Sequence, residues 1–126
     1  MALKEYVGAV VFEVDGREFE VLDLDVKIDT GNKLVKTMNR KGKALGFCRG
    51  VKTYVINFTV AIPKEEPDDI DWEEVEGAKL TIEPIADGGQ RVSYLDCVIT
   101  EIGEKYDAEN EARRTGTLLA LDRIKE

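Results

Sequence analysis

The chain has no histidine. That removes the commonest general base, the commonest metal ligand and the side chain that titrates near neutral pH. Only two cysteines are present, Cys48 and Cys97, far apart in sequence and with no apolar signal segment ahead of them. Both are therefore read as reduced thiols in a protein made in the cytoplasm. Free cysteine is among the most buried residue types, so both are expected to be structural and buried, Cys97 in an alternating run between Leu95 and Ile99. No apolar run approaches the roughly 20 residues of a membrane-spanning helix, and the expectation is a soluble protein without a membrane anchor. Residues 42–46, Gly-Lys-Ala-Leu-Gly, lack the Gly-Lys-Ser/Thr ending of a phosphate-binding loop. No serine, cysteine or lysine stands beside an activating base in a readable motif. Catalysis is not expected, and neither is a cofactor.

Another absence is local. Residues 30–64 contain no acid, only Lys33, Lys36, Arg40, Lys41, Lys43, Arg49, Lys52 and Lys64, whereas residues 65–76 contain eight acids and no base. These blocks cancel, so the net charge of −8 comes from residues 1–29 and 77–126. The acids Asp68, Asp69, Asp71, Glu73 and Glu74 lack the glycine-centred spacing of a calcium loop, and the block contains no glycine. A solvated or docking face is the better reading. The basic strip of residues 33–52 has the electrostatics that nucleic-acid binding requires, but its single aromatic is Phe47 and the chain as a whole is acidic, with a pI near 4.7. Two oppositely charged patches on one chain also suit head-to-tail contact between copies, because a heterologous contact repeats from copy to copy.

What is abundant is alternation. The 126 residues are 43% hydrophobic, enough for a single domain over residues 1–126 with one core. Residues 7–14 and 18–29 flank Asp15-Gly16, a hairpin signal, and Leu22, Leu24, Val26 and Ile28 alternate with Asp23, Asp25, Lys27 and Asp29. Residues 33–50 hold Gly42, Gly46 and Gly50 among their cations and read as a long extended loop. Residues 51–62 give the strongest strand, with Tyr54, Ile56, Phe58, Val60 and Ile62 on one face and Thr53, Val55, Asn57, Thr59 and Ala61 on the other. Residues 67–77 read as a short helix capped by Asp68 or Asp69, anchored by Ile70, Trp72 and Val75 and ended by Gly77. Further strands are expected over residues 79–85, 91–102 and 114–124. The fold class is mainly β: an antiparallel sandwich or barrel of six to seven strands with one short flanking α-helix and a long extended loop.

Taken in order, these elements resemble the tail tube proteins of bacteriophages, a fold shared with the tube subunit of type VI secretion systems. The matching parts are the hairpin of residues 10–28, the excursion 36–47, the strand 54–63, the helix near 69–75 and the closing pair 94–102 and 111–122. The resemblance implies a structural subunit of a virion tail, made and assembled in the host cytoplasm, whose rings, typically hexameric, stack into a tube that conducts DNA. It implies self-contacts within and between rings, and contacts with a sheath in contractile tails, a tape measure and a baseplate, with DNA passing non-specifically. The subunit and ring contacts fall to Lys33, Lys36, Arg40, Lys41, Lys43, Phe47 and Arg49, and an acidic docking helix to Asp68, Asp69, Asp71, Glu73 and Glu74. A passage for DNA should not hold phosphates, so the expected lining is Asp23, Asp25, Lys27 and Asp29, beside Thr53, Asn57 and Thr59. The alternatives are a small β-barrel nucleic-acid-binding or adaptor module using residues 33–52, and another ring-forming tail component such as a terminator.

Overall fold

The structure, a computed structural model, describes residues 3–64, 71–85 and 89–126. Ten strands are present: β1 (Val10–Val14), β2 (Arg17–Phe19), β3 (Val21–Asp29), β4 (Lys33–Val35), β5 (Gly46–Cys48), β6 (Thr53–Ala61), β7 (Glu76–Pro84), β8 (Val92–Lys105), β9 (Arg113–Ala120) and β10 (Asp122–Lys125). Every pairing is antiparallel. One curled sheet runs β2-β1-β7-β8-β9-β6-β3, with β10 also on β8, and β4-β5 form a separate ribbon.

Strand β8 makes the curl possible. Its first half pairs with β7 and β10, its second half with β9. One layer, β2-β1-β7-β8-β10, therefore folds over a second, β8-β9-β6-β3. Bulges allow the bend: the register of β8 slips against β7 near Asp96, where the backbone turns left-handed (φ 55), and against β9 at Thr100. The core fills the space between the layers. Phe12 of β1 stacks on Phe58 of β6 at 5.8 Å, Phe58 lies 4.5 Å from Trp72, and Tyr54 meets Tyr94 edge-on at 6.1 Å. Ile56, Leu80, Cys97 and Leu118 complete a fully buried centre.

The alternation of β6 is as expected, with Ile56, Phe58 and Val60 buried. Asp15 and Gly16, both at positive φ, form the expected turn. The second arm of that hairpin is not continuous, however. It breaks at Glu20: β2 stays with β1, while β3 crosses to the other layer and pairs with β6. Leu22 falls in the register shift that follows and is exposed rather than core-facing. The last expected strand breaks in the same way at the exposed Leu121, and β10 moves onto the first half of β8.

Two further expectations need correction. Among the described residues the flanking element is one 3₁₀ turn, Trp72–Glu74, rather than an α-helix. Asp71 caps it by accepting a hydrogen bond from the Glu73 amide, and Val75 is already extended, its carbonyl bonded to the Ile99 amide. Gly77 lies inside β7 instead of ending a helix. Asp68 and Asp69 lie outside the described residues. Cys48 is exposed, because β5 belongs to a ribbon with no core beneath it; Cys97 alone is buried. The bulge at Asp96 puts Cys97 on the core face with Tyr94 rather than in phase with Leu95, and its thiol lies 3.5 Å from the Tyr94 carbonyl.

A side-chain carbon at Gly116 would overlap the buried ring of Phe58. Gly116→Ala should therefore destabilise the fold by about 1–3 kcal/mol. Gly46→Ala, in open space, should stay within about 0.5 kcal/mol of the parent. Urea unfolding midpoints of the two variants check this; equal midpoints would contradict the packing described.

Candidate assembly surfaces

The layer β3-β6-β9-β8 has one face on the core and one in solvent, and the strand registers define the rows of the open face. Asp23 lies opposite Thr59, Thr59 opposite Thr115, and Thr115 opposite Gly103. In the next row come Asp25, Asn57, Thr117 and Glu101, then Lys27, Val55, Leu119 and Val98. Asp29 faces Thr53 at one end, and Ala61, Arg113 and Lys105 align at the other. All seven residues expected as a lining thus share one surface.

The two central rows hold three carboxylates, Asp23, Asp25 and Glu101, and no cation. The Thr117 hydroxyl donates to Asn57 Oδ1 at 2.8 Å, and the Thr100 hydroxyl to the Thr117 carbonyl at 3.1 Å, so the polar centre is cross-tied. An open depression of about 730 Å³ lies over this region. Asp29 accepts from the Gly31 amide at 2.9 Å and shapes the turn out of β3. At the opposite end, Asp107 accepts from the Asn110 amide at 2.7 Å and the Glu109 amide at 3.0 Å, which holds its carboxyl below the usual range. Glu101, Thr115 and Thr117 were not anticipated. The alternation of Thr115 and Thr117 with Gly116 and Leu118 was a usable signal, but the bulge at Thr100 shifts the phase of β8 and hides Glu101.

Both outer strands of this layer have an open edge. β3 pairs only with β6, and from Thr100 to Lys105 the side of β8 away from β9 has no strand partner among the described residues. Alternate residues along the nine of β3 therefore present unpaired backbone donors and acceptors.

The basic segment forms an arm. β4 and β5 pair as a ribbon, with Leu34 opposite Phe47, and residues 36–45 make the connection. Asn39 organises its tip: its Nδ2 donates to the Lys43 carbonyl at 2.8 Å, and its Oδ1 accepts from the Lys41 amide. At the base, the Gly31 and Gly50 backbones cross so closely that a side-chain carbon on either would run into the other strand, and Gly31 is at φ 78. Lys33, Lys36, Arg40, Lys41, Lys43 and Arg49 are all exposed. Among the described residues none of them makes an ion pair, although Arg49 lies 5.6 Å over the ring of Phe47. Leu34, Met38, Leu45 and Phe47 are exposed between them. Asp71, Glu73 and Glu74 are exposed on the 3₁₀ turn, beside Asp15 and Glu76.

The fold is similar to those of solved chains from phage tails and contractile injection systems. No family model matches the chain, and no curated protein matches it. Solved structures do. A chain of the sheath–tube complex of an extracellular contractile injection system, PVC, superimposes with TM-score 0.65 at 16% identity, over 93% of this chain and 87% of that one. A chain of the PVC sheath/tube terminator gives TM-score 0.69 at 15% identity over 99% of both. A chain from the tail of an empty gene transfer agent particle, refined with C6 symmetry, gives 0.62 at 13% identity over 93% and 92%.

Burial pushes the Cys97 thiol up to about 11, so it is protonated and shielded near neutral pH, whereas Cys48 sits on the open arm. Ellman-type titration of the dissociated native protein at pH 8 should count one thiol, and the denatured protein two. Slow labelling of Cys48 in the native subunit would contradict an open arm.

Proposed function

We propose that this chain, as a single tail-tube-like domain, is a structural subunit of a phage or phage-like tail tube and not an enzyme. What supports the reading most is the layer β3-β6-β9-β8, with an open edge on each side and a polar, acid-centred face. Four antiparallel strands leave the two edge strands running in opposite directions. β3 of one copy can then pair antiparallel with β8 of the next, and the joint continues the sheet without a change of type.

Ring closure removes both edges at once. Six copies would contribute roughly 24 strands and, at ~4.8 Å spacing and ~35–45° tilt, a backbone circle about 45 Å across, wide enough for duplex DNA once side chains are added. The core face is already covered by the other layer, so the polar face becomes the lining. Asp23, Asp25 and Glu101, repeated around the ring, repel phosphate, and Lys27, Lys105 and Arg113 lie in the outer rows. DNA can then pass without being held. The arm serves contacts between copies and between rings. Its exposed Leu34, Met38, Leu45 and Phe47 favour a protein partner over phosphate alone, which weighs against the nucleic-acid module. The outer layer is left for other tail proteins such as a sheath or baseplate, with assembly in the bacterial host and residence in the virion tail.

A second reading has a specific observation behind it: the terminator structure matches over 99% of both chains. A terminator shares the ring but ends the stack. Negative-stain microscopy across a concentration series separates the readings. A tube subunit gives rings and then stacked tubes, a terminator gives rings that do not stack, and a protein that remains monomeric throughout contradicts both.

A further inference from the structure

We infer that the tip of the arm inserts into a cleft on another copy, between β2 and the end of β6. This inference rests on the ring reading and names the receptor for the arm. The cleft, about 480 Å³, runs along the open edge of β2, with Val60 and Pro63 on its far side and Phe19 and Trp72 in its lining. Phe19, Val60, Ile62, Pro63 and Trp72 give it an apolar side, and Arg17, Glu18 and Glu20 line it as well; Glu18, Glu20 and the nearby Asp71, next to Trp72 on the 3₁₀ turn, are exposed.

Trp72 supplies an independent sign of an occupant. It is 2% exposed, and its indole N–H has no hydrogen-bond partner. Two other buried nitrogens share that lack, but Arg91 sits among Glu13, Glu83 and Glu126, and Arg123 lies over the ring of Tyr94. Trp72 alone has neither a partner nor a compensating charge among the described residues. The N–H is itself covered, so a carbonyl of an arriving tip satisfies it only by moving aside the side chains over it.

The arm has the complementary pattern. Met38 is fully exposed near its tip, with Lys36, Arg40, Lys41 and Lys43 around it. An apolar plug ringed by cations matches a cleft whose apolar side carries Phe19 and Trp72 and whose border holds more acids, Glu18, Glu20 and Asp71, than cations, Arg17 alone among the described residues, and a thioether packs well against aromatic rings. None of these cations pairs with an acid of its own chain among the described residues, so the arm remains available to a second copy. Because arm and cleft are different surfaces, the contact is heterologous and propagates from copy to copy.

The test uses two full-length chains in a Cys48→Ser background, one carrying Met38→Cys and the other Glu20→Cys, mixed under assembly conditions and oxidised. The mixed disulfide dimer should far exceed its random share. In parallel, Glu18→Lys with Glu20→Lys should raise the concentration needed for assembly by about tenfold, and adding Lys41→Glu with Lys43→Glu to the same chain should reverse the shift. Rings forming at the parent concentration in the chain carrying only Glu18→Lys and Glu20→Lys, together with a random yield of mixed dimer, would overturn the cleft assignment alone. Preferential capture of Glu20→Cys by a chain carrying Tyr6→Cys, at an exposed aromatic ahead of β1, would overturn the arm as occupant. Absence of rings from the parent protein would instead overturn the reading beneath it.

Discussion

Unsatisfied backbone hydrogen bonding along two strand edges is the constraint on which the rest of this molecule turns. A sheet that curls into two layers can close on itself or leave edges exposed, and here β3 and the second half of β8 remain open. Neither edge is short, and no strand among the described residues covers them. Charges on β3 give some protection from indiscriminate pairing, since Asp23, Asp25, Lys27 and Asp29 alternate along it. The core argues that the edges are not an accident of loose folding. Phe12, Phe58 and Trp72 hold the two layers together from β1, β6 and the 3₁₀ turn, and all three rings are buried within one copy, although the Trp72 N–H is left without a partner. The fold thus has a core of its own and still leaves two strand edges open.

Much of this was legible in the sequence, and the reasons differ from element to element. β6 was clear because every second residue from Tyr54 to Val60 is large and apolar, a pattern that only a half-buried strand explains. The Asp15-Gly16 turn was clear because few dipeptides accept two positive φ angles. The break at Glu20 was not: the apolar phase does change there, from Phe19 and Val21 to Leu22, Leu24 and Val26, but only the positions of β1 and β6 in space show that this change is a move to the other layer. Leu121 hid the boundary between β9 and β10 for the same reason. The fate of Cys48 depended on the ribbon having no core beneath it, which local sequence does not encode. Among the lining candidates, Asp23, Asp25, Asn57 and Thr59 could be grouped from period-two reasoning. Glu101 could not, because a bulge at Thr100 shifts the phase of its strand.

The segregation of charge along the chain takes on a physical role once the fold is known. The acid-free residues become an arm pinned at Gly31 and Gly50 and an inner strand with a neutral polar face, while the described acids of the second block sit on the opposite layer. In the proposed ring, attraction between copies and repulsion of a polyanion fall to separate surfaces, so one need not weaken the other.

Hydrogen exchange of the backbone amides, compared between the dissociated subunit and the assembled state, tests the edge-pairing account most directly. The account predicts new protection at alternate residues of β3 between Val21 and Asp29 and along β8 from Thr100 to Lys105, the two segments that would pair across the joint. Rings or tubes that form while both segments exchange as fast as in the free subunit would contradict it.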